Sequence, residues 1–229
     1  DVESALEKKV KAYLNSTVGT SAFQPLDKML PPHGVQTFTE DGTFTVPDSV
    51  HKILVTACGG GEGGGKTYSS SSWYYNAMGG EGAECIIRQA FSVTPLQQIP
   101  ITVGIGGQPL SKSSGDTRDS SGEPGGSTVI GNLVTLIGGN STLGTPRVGG
   151  GRRGTGLQER VGSDGYVYLA VSSGSDGVRG AGGRCSSSYG GGGGSYGNGG
   201  TANKANSVGY GGGGAGNQKG GNGIVIIEW

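Results

Sequence analysis

Charge, histidine and cysteine are all scarce in this 229-residue chain. It carries two His, three Cys, two Trp and two Met, and only 15% of its residues are charged, against about 25% in ordinary globular domains. No stretch approaches the run of about 20 apolar residues that a spanning helix needs. Lys+Arg and Asp+Glu both total 17, for a net charge of zero. That balance argues against a nucleic-acid binder, which needs a basic face to displace phosphate counterions, and against a basic membrane-surface protein. Cys58, Cys85 and Cys185 are odd in number and lack CxxC spacing, so they make neither a disulfide framework nor a zinc site. Free thiols, assembled in a reducing compartment, are the simplest reading; one bridge plus one free thiol also fits the count. The first residues show no charged-then-apolar leader, and the chain starts at Asp1, so it reads as a fragment or processed piece.

What is present is glycine: 52 residues, about three times the usual share of about 7%. A long all-helical protein is excluded, because each interior glycine costs a helix about 1 kcal/mol relative to alanine. Hydrophobic residues make up 32%, so any core is small. The glycine falls in blocks at 59–65, 79–82, 149–156 and above all 174–223. Within the last block a period of three recurs at Gly174, Gly177, Gly180 and Gly183, then at Gly191, Gly194, Gly197 and Gly200. Three residues per turn is polyproline II geometry. Collagen shares it but needs uninterrupted Gly-X-Y and abundant proline, and no proline lies in 174–223. A flexible linker is the competing reading, but serine does not fill the gaps evenly and an apolar run follows the block. The expectation is a bundle of short polyglycine II helices, hydrogen-bonded backbone to backbone because no Cβ keeps them apart.

Two other patterns flank the glycine. Val2, Ala5, Leu6, Val10, Tyr13 and Leu14 fall on one face of a helix over Asp1 to Asn15. Such a helix is marginal alone, and either docks on its own domain or ends an oligomeric stalk. From Val35 the pattern becomes that of strands at Thr37–Thr39, Gly42–Val46, Lys52–Cys58, Glu84–Phe91, Gln98–Val103, Ser127–Ile130, Leu133–Ile137, Tyr166–Val171 and Ile224–Trp229, punctuated by turn residues. The division is a helix and linker over 1–34 and a glycine-rich domain over 35–229. The expected fold is mainly β: a small antiparallel β-sandwich of jelly-roll or TNF-like type, an inserted polyglycine II bundle, and a short N-terminal α-helix. The terminal strand must pair with early ones, which makes the glycine segments insertions rather than a tail.

Few residues read as chemistry. Gly60 to Thr67 matches G-x-x-x-x-G-K-T after a strand, but poor helix material follows it and no βαβ repeat exists. His33 and His51 read as surface or packing residues, and Glu81 with Glu84 makes no glycosidase signature. Neither an enzyme nor a cofactor is expected. Aromatics are more informative: Tyr68, Trp73, Tyr74 and Tyr75 crowd the 66–78 segment, and Tyr189, Tyr196 and Tyr210 sit in or beside glycine turns. Rigid rings on loops supply contact area at low entropic cost, so these seven are the candidate binding-surface residues; the alternative is that they cover the core or the glycine helices. Polar loops at Leu110–Glu123, Arg152–Asp164 and Thr201–Ser207 are further candidates.

The ordered set Thr43-Phe-Thr-Val-Pro, Lys52-Ile-Leu-Val-Thr-Ala-Cys-Gly-Gly-Gly, Ile101-Thr-Val-Gly-Ile-Gly-Gly and Gly223-Ile-Val-Ile-Ile-Glu-Trp229 resembles the glycine-rich C-terminal domain of phage and prophage tail fibres, over about Val35 to Trp229. It is similar in design to the tip adhesins of T-even-like phages, whose stacked polyglycine II helices display loops that recognise the host. The resemblance implies binding to an outer-membrane protein or surface polysaccharide, an upstream fibre shaft, a trimeric fibre and location at the distal end of the virion's tail fibre. The aromatic insertion Lys66–Met78 departs from that pattern. The glycine-rich extracellular domains of certain animal receptor tyrosine kinases are also similar, but they are cysteine-rich and secreted. A glycine-rich structural scaffold is the rival class.

Overall fold

The computed structural model describes residues 7–10, 33–65, 68–69, 73–75, 78–110, 122–143, 148–152, 158–162, 165–168, 172–185, 191–204 and 207–229. Of the expected N-terminal helix, residues 7–10 are helical; the rest of it lies outside the described residues.

Among the described residues twelve strands are present: β1 (Val35–Phe38), β2 (Gly42–Thr45), β3 (Lys52–Cys58), β4 (Tyr68–Ser69), β5 (Trp73–Tyr75), β6 (Cys85–Ser92), β7 (Gln98–Thr102), β8 (Thr128–Ile130), β9 (Val134–Leu136), β10 (Gln158–Gly162), β11 (Gly165–Tyr168) and β12 (Ile224–Glu228). Two four-stranded antiparallel sheets, β1-β12-β3-β6 and β2-β7-β8-β9, make a small β-sandwich. Alternation sets their inner faces. In β7, Ile99 and Ile101 are buried while Gln98, Pro100 and Thr102 are exposed. These isoleucines join Phe44, Ile53, Val55, Ile130, Leu136, Val225 and Ile227 in one core, each side chain contributing about 1.5–3 kcal/mol by leaving water. Trp229 closes one end, its ring 5.4 Å from that of Phe44. The terminal strand pairs with β1 on one side and β3 on the other, Ile226 facing both Thr37 and Thr56. The last strand of the chain thus closes the sheet that the first strand begins. A bulge between Val55 and Ala57 puts Arg88 at φ +48, and Thr56 Oγ1 accepts its N–H at 3.0 Å.

The glycine blocks form a lattice that grows from one end of this sandwich. Its central helix is residues 59–65, every one buried. Gly59, Glu62 and Gly65 donate their N–H groups to Glu84, Glu81 and Met78; Gly60 and Gly63 donate to Gly126 and Glu123; Gly61 and Gly64 donate to Gly221 and Gln218. Every third amide therefore meets the same neighbour, which is the period of three of a polyglycine II helix. Carbonyls of the same helix accept from Gly107 and Leu110, from Gly214 and Asn217, and from Gly139, so six segments surround it. Residues 191–195 repeat the arrangement: Gly191 and Gly194 donate to Ser172 and Ser175, Gly192 and Ser195 to Gly200 and Gly197, and Gly193 to Gly80.

Side chains could not pack this closely. A Cβ on Gly61 would overlap the carbonyl of Gly212, one on Gly64 that of Ala215, and one on Gly192 that of Gly213. The lattice satisfies the buried backbone groups that a sheet would otherwise satisfy. It also covers the outer face of the sandwich sheet, so β3 is buried on both faces from Val55 to Cys58. Thr128 ties the two parts together: its buried Oγ1 donates to the Cys58 carbonyl at 2.8 Å and accepts the Gly104 N–H at 2.9 Å.

Candidate functional site

The lattice has two unlike ends. At the sandwich end, glycine helices continue directly into strands after Cys58 and Thr102 and before Thr128 and Ile224. Among the described residues, the returns at this end are tight. Residues 178–180 turn where Val178 N–H meets the Gly149 carbonyl, 195–198 where Ser195 N–H meets Gly197, and 209–212 where Gly212 N–H meets Gly209. At the far end one return is tight, 215–218, where Gln218 N–H meets the Ala215 carbonyl; elsewhere the chain leaves for longer excursions. It departs at Gly65 and returns at Met78, the two joined by a 2.8 Å hydrogen bond. It departs again at Leu110, held on the Gly64 carbonyl, and returns at Gly122, held on that of Gly63. Arg152 and Ser172 bound a third excursion and Cys185 and Gly191 a fourth. Thr201 and Ser207 bound a fifth, closed by Ser207 Oγ accepting the Thr201 N–H at 2.7 Å.

Two of these excursions meet. β5 pairs with β10, joining the 66–77 and 153–171 segments in a third antiparallel sheet of order β11-β10-β5-β4. The sequence reading treated Lys66–Met78 and Arg152–Asp164 as loops and expected a strand at Tyr166–Val171, which β11 overlaps; Tyr68–Ser69, Trp73–Tyr75 and Gln158–Gly162 are strands as well. Their signal was masked by the polar runs around them, and the strands gain hydrogen-bond partners only across the two segments. Register sets the faces, because residues two apart share a side. Tyr75 lies opposite Tyr68 and Gln158, and Trp73 opposite Arg160, so these five positions share one face. Tyr74, Glu159 and Tyr168 occupy the other.

The remaining candidate aromatics do not join that group. Tyr196 and Tyr210 lie in the tight returns at the sandwich end, and Tyr189 lies outside the described residues. Tyr196 packs on the cluster of Cys58, Cys85 and Ile224. Its hydroxyl is 3.0 Å from the Arg179 guanidinium, which also lies 4.9 Å from the ring centre, a cation–π contact. Tyr210 is 40% exposed, beside Gly211, which takes φ +69 and where a Cβ would collide with the Cys58 sulfur.

A family profile described as a glycine-rich domain matches residues 37–229, which is the sandwich and the whole lattice. The chain belongs to this glycine-rich domain family. No curated protein matches it.

Within this glycine-rich domain the nucleotide-like string finds no phosphate cradle. The N–H groups of residues 60–65 are all donated to neighbouring helices, whereas phosphate binding needs free amides at a helix N-terminus. His33 and His51 are exposed. Glu84 Oε2 accepts the Ile137 N–H at 3.0 Å, a structural role. The described residues hold no group of three or more His, Cys, Asp or Glu able to bind a metal, and no helix among them is long and apolar enough to cross a membrane.

The sequence reading passed over Glu62, because a lone acid among glycines looks like a solubilising residue. It is 1% exposed and sits in the central helix. Its Oε2 accepts the Glu81 N–H at 2.8 Å and its Oε1 accepts the Ser141 hydroxyl at 2.7 Å. The carboxylate thus takes an amide that a neighbouring carbonyl would otherwise take, and ties the central helix to the 3-10 turn Ser141–Leu143. Cys58 and Cys85 face each other across β3 and β6 and are buried. Burial, with the Cys85 thiol adding to it, pushes the Cys58 thiol up to about 12. Burial likewise raises Cys85 to about 12, against the opposing effects of the Ser195 hydrogen bond and the Arg179 charge.

Proposed function

We propose that this domain is the receptor-binding tip of a phage or prophage tail fibre, non-enzymatic and directed at the bacterial host surface. The observation that carries the reading is the polarity of the lattice: the returns at 178–180, 195–198 and 209–212 are tight and lie at the sandwich end, whereas the long and dissimilar excursions leave from the other end, where 215–218 is the one tight return among the described residues. His33 and Gly34, where the preceding segment joins, lie beside Trp229 at the sandwich, Gly34 exchanging two hydrogen bonds with it. Attachment through residues 1–34 to an upstream shaft, trimeric in this proposal, would leave the far end outward at the distal tip of the virion. The cross-bonded lattice holds its excursions at fixed bases, which lowers the entropy lost on binding. The β4/β5/β10/β11 sheet, with Tyr68, Trp73, Tyr75, Gln158 and Arg160 on one face, is the contact surface of choice. The receptor is an outer-membrane protein or a surface polysaccharide.

The test is binding of a fluorescently tagged domain to a panel of bacterial strains, beside a Trp73→Ala/Tyr74→Ala/Tyr75→Ala variant. Strain-selective labelling that the variant loses by tenfold or more, with unchanged thermal stability, is the expected result. Uniform absence of labelling by folded protein favours a glycine-rich structural scaffold.

A further inference from the structure

All three thiols are free in this structure, and the strand register shows which two are placed to be joined. Cys58 and Cys85 are direct partners across antiparallel β3 and β6. The next rung is the hydrogen bond from Gly59 N–H to the Glu84 carbonyl at 3.0 Å, and the Cys85 N–H points away from β3, to the Val148 carbonyl at 2.9 Å. The two cysteines therefore occupy a non-hydrogen-bonded position, where Cα atoms lie about 4.5 Å apart and side chains come closest. That spacing is within the about 4.4–6.8 Å that a disulfide spans. Both side chains point to the same side of the sheet, against Ser195 and Tyr196 and beside Ile224 of the neighbouring strand. Cys185 is excluded by distance. Gly180 bonds to Ser195, beside the pair, through its N–H, and Cys185 lies five residues further along the glycine helix, about 15 Å at about 3.1 Å per residue.

We propose that Cys58 and Cys85 are the site of a cross-strand disulfide, formed while the chain folds in the presence of a low-molecular-weight disulfide, and sealed once the C-terminal lattice closes over it. The chemistry is two exchanges. One cysteine thiolate attacks the small disulfide, forming a mixed disulfide and releasing one thiol. The second cysteine then displaces the remaining small thiol. The protein loses two electrons and two protons, and the oxidant gains them as two thiols.

Order of assembly makes this feasible. β3 and β6 are near in sequence, whereas their cover, Ser195, Tyr196, Gly211 and Ile224, arrives from the last part of the chain. In the folded protein the cysteines are 0% and 3% exposed, so neither oxidant nor reductant reaches them without opening. The bridge would close the segment that holds the central glycine helix, its 78–84 partner and the Trp73 strand between them. The base of that excursion would then be covalently fixed.

The experiment refolds the full chain, as wild type and as Cys185→Ser, from denaturant in a mixed reduced and oxidised glutathione buffer. Alkylation under denaturing conditions and mass spectrometry follow. The expected product is lighter by two hydrogens, carries no alkyl group on Cys58 or Cys85, yields one linked peptide pair, and has a higher denaturation midpoint than the reduced protein. Folded reduced protein placed in the same buffer stays fully alkylatable at both positions. Secretion of the chain into an oxidising compartment gives the same readout without refolding. Natively folded product with both thiols alkylated, a bridge to Cys185, or a lowered midpoint in the oxidised form would each overturn the proposal.

Discussion

Replacing Gly61 by alanine tests the lattice where it is most crowded. The added Cβ would overlap the carbonyl of Gly212, so the helix at 211–217 must move off the central one. Two hydrogen bonds join that pair, buried Gly214 N–H to the buried Glu62 carbonyl at 2.8 Å and the N–H of exposed Asn217 to the buried carbonyl of Gly65 at 2.7 Å. A buried polar group left unpaired costs about 1–3 kcal/mol, so both bonds together are at stake for about 2–6 kcal/mol. Against this, alanine restricts the unfolded chain and returns about 0.4–1 kcal/mol. The net expectation is a loss of about 1–5.6 kcal/mol, a substantial part of the roughly 5–15 kcal/mol by which domains are stable. Gly126 provides the comparison: it is exposed, and its nearest contact to a Cβ is the Ile105 nitrogen at 3.0 Å, so its alanine variant should lose less than about 1 kcal/mol. Urea unfolding followed by tryptophan fluorescence measures both. In a flexible glycine linker alanine would be neutral or mildly stabilising, so a Gly61→Ala midpoint at or above wild type would refute the close-packed lattice.

Further outcomes follow from two other buried groups. Glu62→Ala strands the Glu81 amide and the Ser141 hydroxyl and should cost about 2–4 kcal/mol. Glu62→Gln can still serve both and should cost less than about 1 kcal/mol; equal losses in the two variants would show that the carboxylate's hydrogen bonds are immaterial. The thiol pair sets a pH window under reducing conditions. In the unfolded chain Cys58 and Cys85 ionise near their ordinary value of 9.0, and in the folded chain only near about 12. Their contribution is therefore complete below pH about 9 and is lost as pH rises towards about 12, because the unfolded state releases protons that the native state keeps. Stability between pH 9 and 11 should fall more steeply in reduced wild type than in a Cys58→Ala/Cys85→Ala variant; parallel slopes would contradict the buried, protonated pair.

The strands of the sandwich were legible because each is a short β-branched run cut by turn residues. Lys52–Cys58 was located to the residue, and the others to within a few. The lattice was legible as a period of three, because a helix with three residues per turn writes that period into its glycines. Yet the series Gly174, Gly177, Gly180 and Gly183 is not one helix. It crosses the turn at 178–180: Gly174 and Gly177 donate to Gly183 and Gly180, which donate in turn to Gly192 and Ser195. The third sheet escaped detection, since β4, β5 and β10 are short and are defined by pairing between segments about 80 residues apart.

By itself, the sequence determined the two materials of this protein. Alternating apolar residues can bury one face only as strands, and glycine at every third position permits backbones to touch without Cβ atoms. Tertiary structure alone decided where those materials meet. It turned the tight returns at 178–180, 195–198 and 209–212 towards the sandwich and the long excursions away from it, separating Tyr196 and Tyr210 from the Trp73 strand. It also placed Glu62 inside the lattice and set Cys58 against Cys85. These are results of register and of which neighbour each amide finds, and such partners are distant in the chain and become specified only when the whole array closes.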